Sequence, residues 1–310
     1  MTGARDLDVV VVCEINVDIV VTGLAGPPVF GAERVIDDVM LTAGGSGVLT
    51  ATGLADLGLR VGVCGLVGDD PFGRFMLEHC DRHGIDRRGV VVGSAERTGA
   101  SILLSTNVDR AILTHTGSMA RFGYDQINFD VVRRARHLHL SSYFLQAALR
   151  PSVPDLLAHA RSLGLGASAD TGHDPEERWD VDDLLPGLDV FLPNEVEALA
   201  ITGAHTPVDA LARLGRRVPL VAVKRGAAGA IAARGAEQVR APGFEVRTVD
   251  TTGAGDAFDA GFLHALLGGA DLETSLRRGN ACGALTAAQV GGTGALSLAA
   301  VEAMLRGCSL

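Results

Sequence analysis

Five consecutive residues near the start of the chain, Val9 to Cys13, carry no polar side chain. Successive side chains of a strand point to opposite faces, so an unbroken apolar run needs cover on both sides. A strand with one wet face would alternate instead. The run therefore predicts a central strand of a parallel sheet sandwiched between helices. The later segments fit that prediction. Val61–Leu66 leads to a helix from Pro71, His137–Leu140 to one from about Val153, and Asp189–Leu192 to one at Asn194. Leu220–Val223 precedes a turn and a hairpin, and the final third reads as three helices, Asp256–Leu267, Leu272–Gln289 and Leu298–Leu305. The expected class is α/β, a mainly parallel sheet covered by helices, in one domain spanning 1–310.

Val17–Thr22 and Arg34–Leu41 alternate better and are separated by the turn-rich "GLAGPPVFG", which predicts a small sheet standing off the main one. Arg88–Val92 and Ser101–Ser105 are expected to add to it, giving a lid from segments about 15–41 and 86–106. "GGSGVLTATGLADLG" reads as a helix opened by glycines and closed at Gly58.

A net charge of −10 argues against a nucleic-acid partner or a membrane-bound basic patch. The five cysteines are scattered with no C-x-x-C pair, as in a reducing cytosol. The apolar N-terminal stretch is interrupted by Glu14 and Asp18 and reads as a core strand, not a signal peptide or membrane span. The expected location is cytoplasmic.

"DTTGAGD", Asp250 to Asp256, carries the chemistry. Gly253 and Gly255 permit positive φ, so the amides of Gly253, Ala254, Gly255 and Asp256 can converge on one anion at a helix mouth. Asp256 would stand at the rim of that cup as a general base. The plainer alternative is a glycine turn capped by Asp256. Other phosphate loops are excluded: there is no G-x-x-x-x-G-K-[ST], the only lysine is Lys224, and no G-x-G-x-x-G follows the first strand.

"DTTGAGDAFDAGF" resembles the C-terminal signature of the ribokinase-like, PfkB-type carbohydrate kinases, and "GGSGVLTATGLADLG" resembles their N-terminal glycine pair. "INVDIV", "LPNEVEA", "VKRGAAGA" and "GNACGAL" occur in the family's order, so the likeness runs from about residue 9 to the end. The resemblance implies a three-layer ribokinase-like fold with a β lid, ATP as donor with Mg²⁺, and a sugar-like hydroxyl as acceptor. It implies Asp256 as base, with Gly253, Ala254 and Gly255 as the anion hole. Asp18, Gly44 and Gly45 would meet acceptor hydroxyls. Asn194, Lys224, Gly226, Gly229 and Asn280 would lie along ATP, Asn280 near the adenine. Glu197 would act on Mg²⁺ through water, and Asp250 and Thr252 would hold a monovalent cation, K⁺.

Several of these positions also have a local reading. Asn194 and Glu197 are spaced as a capping box, and Lys224 could be a solvated strand end. His137 and His139 share a strand face but lack further ligands for a metal, and His173 reads as a loop residue. The chain departs from the family pattern at Leu49, where the N-terminal signature carries an asparagine, with Thr50 as a compensating hydroxyl. Ser46 follows the glycine pair where a lysine would mark a phosphorylated acceptor. The leading reading is an ATP-dependent kinase of a free sugar or sugar acid, phosphorylated at a hydroxymethyl group. The alternatives are a ribonucleoside kinase, with Phe30, Phe122 and Tyr143 available for the base, and a sugar-binding regulator without catalysis. Exposed lid edges are expected to pair two copies as a homodimer.

Overall fold

The first strand is buried on both faces, as its composition requires. Val10 and Val12 join one hydrophobic cluster while Val9, Val11 and Cys13 join another on the opposite side. The computed structural model describes residues 5–106, 110–289 and 296–307.

The chain opens with β1 (Val9–Val12), β2 (Asn16–Leu24) and β3 (Asp38–Gly44), then α1 (Ser46–Asp56), β4 (Val61–Gly68) and α2 (Pro71–Arg82). Three strands come next, β5 (Asp86–Gly93), β6 (Gly99–Thr106) and β7 (Arg110–His115). The middle runs α3 (Phe129–Val132), β8 (His137–Ser141), α4 (Val153–Ser162), β9 (Gly166–Asp170), β10 (Val190–Phe191), α5 (Glu195–Thr202) and α6 (Pro207–Leu214). The last part holds β11 (Leu220–Lys224), β12 (Ala230–Arg234) and β13 (Glu237–Ala241), and then α7 (Ala254–Leu267), α8 (Leu272–Ala287) and α9 (Leu298–Leu305).

Nine strands form the main sheet in the order β13-β12-β11-β10-β9-β8-β1-β4-β5. Its pairs are parallel from β5 to β11, and only the β11–β12–β13 hairpin edge is antiparallel. Residues of α3, α4, α5 and α6 pack on one face and residues of α1, α2, α7, α8 and α9 on the other. The expected mainly parallel, helix-covered sheet is therefore present.

A second sheet, β3-β2-β6-β7, is the lid. It differs from the expectation in its segments, since β7 lies beyond the expected 86–106 and two further boundaries shift. β5 does not join the lid; it pairs in parallel with β4 at the edge of the main sheet. Gly89 explains the placement, because a side chain there would run into Cys64 Sγ and the Val63 carbonyl at 2.5 Å. The lid therefore starts, in this part of the chain, at Gly99. The third strand also begins later than Arg34, at Asp38, and runs on to Gly44.

The carboxyl ends of β1, β8, β9, β10 and β11 lie side by side in this parallel array, the position where open α/β sheets place ligands. The lid strand β2 leaves directly from the β1 end through Cys13–Ile15.

Candidate active site

Two helices bring their N-termini to this edge. Gly53 of α1 sits so close to α7 that an added Cβ would meet that of Ala260 at 2.7 Å. Small residues at the crossing thus let α1 and α7 approach, and residues 210 positions apart come into contact. The Ser46 hydroxyl at the start of α1 donates a hydrogen bond to Asp256 Oδ1 in the first turn of α7.

The "DTTGAGD" stretch forms the helix mouth it was expected to form, two residues earlier than read from the sequence. Gly253 caps α7 at φ 71°, left-handed backbone that a glycine adopts without strain. The Ala254 amide already donates to the Thr251 carbonyl at 3.2 Å. Among the described residues, no hydrogen bond engages the amides of Gly253, Gly255 and Asp256. These amides lie at the positive end of a helix running to Leu267, an arrangement that suits an anion. Asp250 Oδ1 accepts from the Thr252 amide at 2.9 Å and from its hydroxyl at 2.7 Å, which folds the approach to the cup.

Asp256 is nearly buried, and burial pushes its carboxyl up to about 7 even though the Ser46 hydrogen bond pulls it down. A carboxyl near neutrality is suited to accept a proton and later release it.

Two cavities meet at Asp256. The larger, about 620 Å³, is lined by Asn194, Glu197, Lys224, Gly226, Gly229 and Asn280, all expected along ATP. Its wall carries Phe244, Val246, Phe258 and Ala284, an apolar slot for a flat ring. The backbone there is tightly apposed: a side chain at Gly229, where φ is 83°, would strike the Ala241 carbonyl at 2.1 Å. Asn280 Nδ2 donates to the carbonyls of Ala241 and Pro242 at 3.1 and 3.0 Å. Its amide nitrogen therefore braces the cleft wall.

Asn194 and Glu197 form the full capping box. The Asn194 side chain accepts from the Glu197 amide, and the Glu197 carboxylate accepts from the Asn194 backbone at 2.9 Å and from its Nδ2 at 2.6 Å. Burial, followed by the charge of Asp170, pushes the Glu197 carboxyl up to about 7.

Lys224 is not the solvated strand end that one reading expected. It is buried, with Nζ donating to Asp170 Oδ2 at 2.6 Å and to both Asp259 oxygens at 3.1 Å. Burial alone would lower the ammonium's pKa, but Asp170, then Asp259 and Glu197, outweigh it and raise that pKa above the ordinary value. Burial likewise pushes Asp170 up, yet the ammonium beside it prevails and holds it ionised. Burial raises the Asp259 carboxyl well above its usual range, against the pull of the same ammonium. The group is thus a buried cluster of one ammonium between two carboxyl groups, with Lys224 and Asp170 lining the larger cavity.

The smaller cavity, about 300 Å³, is lined by Glu14, Asp18, Gly45, Leu49, Ser142 and Asp256, with Leu103 and Ile112 from the lid. A Cβ on Gly44 would meet Asp18 Oδ1 at 2.2 Å, and one on Gly45 would meet Asn16 Oδ1 at 2.9 Å. The glycine pair is the bed on which the Asn16 and Asp18 side chains lie. Asp18 Oδ1 accepts from Asn16 Nδ2 at 3.0 Å, and burial, with the Asp256 charge added, pushes its carboxyl up to about 7.

Leu49 faces this cavity, as expected from its place in the glycine-pair signature. Thr50 does not compensate for it; its hydroxyl points to α7 and reaches the Asp256 carbonyl at 3.5 Å. The aromatic residues held available for a nucleoside base line neither cavity. Phe122 and Tyr143 are core residues and Phe30 lies on the surface. His137 and His139 share a face but serve one hydroxyl, Ser168 Oγ, at 2.7 and 2.9 Å. His173 packs edge-on against Trp179.

Glu14, Ser46, Ser142, Asp170 and Asp259 do not stand out as site residues in the sequence. Glu14 has a visible signal, an acid at the end of a strand buried on both faces. The others are ordinary polar residues whose role comes only from packing.

The match to known proteins extends over nearly the whole chain. The model of the pfkB family of carbohydrate kinases matches residues 6–298. An ATP-dependent ribose-1-phosphate kinase of Halopiger xanaduensis is 34% identical over 282 residues, 90% of this chain and 91% of its own length. A 2-dehydro-3-deoxygluconokinase of Bacillus subtilis is 30% identical over 76% of this chain and 77% of its own. Among solved structures, an E. coli protein designated ribokinase II, in complex with ATP and Mg²⁺, superposes with a TM-score of 0.86 at 25% identity, covering 97% of this chain and 99% of its own. With the helix-mouth cup, the carboxyl at its rim and a cavity on either side, the match leaves one conclusion: the chain belongs to the pfkB family of carbohydrate kinases and is an ATP-dependent enzyme of that family.

Proposed function

We propose that the protein transfers the γ-phosphoryl group of ATP to a hydroxymethyl group of a free sugar or sugar acid, with Asp256 as general base. One observation carries the reading: Asp256, Ser46 and Thr251 line both cavities, so a donor in the larger one and an acceptor in the smaller one would meet at this carboxyl. The acceptor hydroxyl gives its proton to Asp256 while its oxygen bonds to the γ-phosphorus. The bond from that phosphorus to the β-phosphate oxygen breaks and ADP leaves. The amides of Gly255 and Asp256 face the charge that develops on the transferred group.

The polar groups of the larger cavity suit Mg²⁺ carried in on phosphates, an ion that keeps several waters and takes few protein ligands. Both Glu197 oxygens accept from Asn194, so Glu197 would reach the ion through water. When bound, Mg²⁺ supplies charge neutralisation for the phosphates. Asp250 and Thr252 are assigned to K⁺, which would steady the turn leading into the cup.

A homodimer through the lid is supported by its surface. Leu41, Ile19, Ile102 and Leu113 stand in register across all four lid strands, and three of them are exposed. Both outer strands, β3 and β7, also present open edges. A cytoplasmic location is supported by free, buried cysteines at 13, 64, 80 and 282. Among the described residues no helix is long and apolar enough to cross a membrane.

The direct test is ADP release from ATP and Mg²⁺ over a panel of sugars, sugar acids and nucleosides. Turnover with a sugar or sugar acid supports the reading. Turnover confined to nucleosides would replace it.

A further inference from the structure

The smaller cavity holds an imbalance of hydrogen-bonding groups. Most of its side-chain donors are engaged within the protein: Asn16 Nδ2 donates to Asp18, Ser46 to Asp256, Ser142 to Glu14 at 2.6 Å, and Thr252 to Asp250, while the Ser101 hydroxyl pairs with that of Thr114, which leaves the Thr251 hydroxyl at the junction with the larger cavity. The acceptors are in excess, with three carboxyls, Glu14, Asp18 and Asp256, around one space. No lysine, arginine or histidine lines it among the described residues.

Glu14 is the informative member. It is 2% exposed and its Oε1 takes the Ser142 hydroxyl, but Oε2 is buried without a hydrogen-bond partner among the described residues. A buried carboxylate oxygen left alone is costly, by about 1–3 kcal/mol or more, so its persistence beside a cavity points to a partner that arrives with the ligand. Burial drives this carboxyl up to about 7, against the pull of Ser142 and of the amides of Ser46 and Gly47 at the α1 mouth.

We infer that the acceptor is an uncharged, hydroxyl-rich molecule, and that Glu14 Oε2 takes a hydrogen bond from one of its hydroxyls other than the one phosphorylated. The inference rests on the smaller cavity being the acceptor site and narrows the acceptor within that reading. A phosphorylated or carboxylated sugar would bring a second negative charge, besides the phosphoryl group that the helix mouth faces, against three carboxyls with no cationic side chain to meet it, whereas a neutral polyol brings hydroxyl donors. Glu14 would thereby set the acceptor class without touching the reacting atoms.

The experiment compares kcat/KM for ribose with that for ribose 1-phosphate, and for a neutral hexose with that for a 2-keto-3-deoxy sugar acid, in the wild type and in Glu14→Gln. Wild type should favour the neutral member of each pair by about tenfold or more, and Glu14→Gln, which removes a charge and keeps the shape, should shrink that preference on the order of tenfold. A wild-type preference for either anion overturns the inference whatever the variant does. So does an unchanged ratio in a Glu14→Gln protein that unfolds at the wild-type temperature. The same acceptors titrated calorimetrically without ATP report binding alone. Binding of neutral polyols with no ADP release would therefore refute the transfer reaction and uphold the inference about Glu14.

Discussion

Replacing Lys224 with methionine removes the ammonium that faces Asp170 and Asp259 under the larger cavity, while keeping most of its buried stem. The cluster loses its one positive charge, and Asp170, which that ammonium holds ionised, is left without a cation. Breaking a buried pair by deleting one partner costs about 3–5 kcal/mol. An unfolding entropy of about 2.1 cal/mol/K per residue gives about 0.65 kcal/mol/K for a chain of this size, so the midpoint should fall by about 5–8 °C. The pH dependence sharpens the test. With Lys224 present, the folded pKa of Asp170 is lowered, and this contributes stability above the unfolded value of about 3.9 that is lost as pH falls. Without the lysine, burial raises the same pKa, so the variant's deficit grows as pH rises from about 4. Thermal unfolding followed by calorimetry at pH 5 and pH 8 should show the larger gap at pH 8, and adding Asp170→Asn should recover most of it. A Lys224→Met midpoint within 1–2 °C of wild type at pH 8, about 1 kcal/mol by the same arithmetic, would refute the buried pair and the site floor built on it.

Other outcomes rest on the same geometry. The catalytic carboxyl must be ionised, so kcat/KM should fall with decreasing pH through an apparent value near 7 that Asp256 shares with Asp18 and Glu14. Ser46→Ala removes the hydrogen bond that lowers Asp256 and should move that limb upward by about 1–2 pH units, the worth of one bond to a charged group. A pH profile that does not move would separate Ser46 from the base. Leu49→Asn should shift preference toward the fully hydroxylated acceptor over its deoxy analogue by about 2- to 12-fold, one neutral hydrogen bond, in a competition assay. Rates in K⁺ should exceed those in a bulky organic cation, and Asp250→Ala should blunt the difference; equal rates in both salts would remove the cation from the mechanism.

The parts that could be read from the sequence are those set by local rules. Val9–Cys13 announced a strand covered on both faces, and Asn194 with Glu197 announced a helix start whose hydrogen bonds are all present. The glycines of "DTTGAGD" announced a helix mouth, though α7 starts at Ala254 and one of the expected amides is already bonded. Local rules gave less where tertiary packing decides. Arg88–Val92, a short β-branched run, reads as an addition to the lid, yet Gly89 lets it press against β4 and it joins the main sheet. α6 carries a visible start, Thr206 as cap and Pro207 in the first turn, but its apolar stripe is too short to mark a helix by periodicity. Ser46 meets Asp256 only because Gly53 admits Ala260, and Asp170, Lys224 and Asp259 meet only because three distant segments end at one place. No spacing rule reaches across such separations.

The central claim is that Asp256 takes the proton of the acceptor hydroxyl at the junction of the two cavities. Asp256→Asn keeps the size of the side chain and a partner for Ser46 while removing the base. ATP affinity measured by calorimetry should stay within about twofold of wild type, while kcat for ADP release with a turned-over sugar should drop by about 10²- to 10⁴-fold. A variant that folds, binds ATP and turns over at near wild-type kcat would contradict the account.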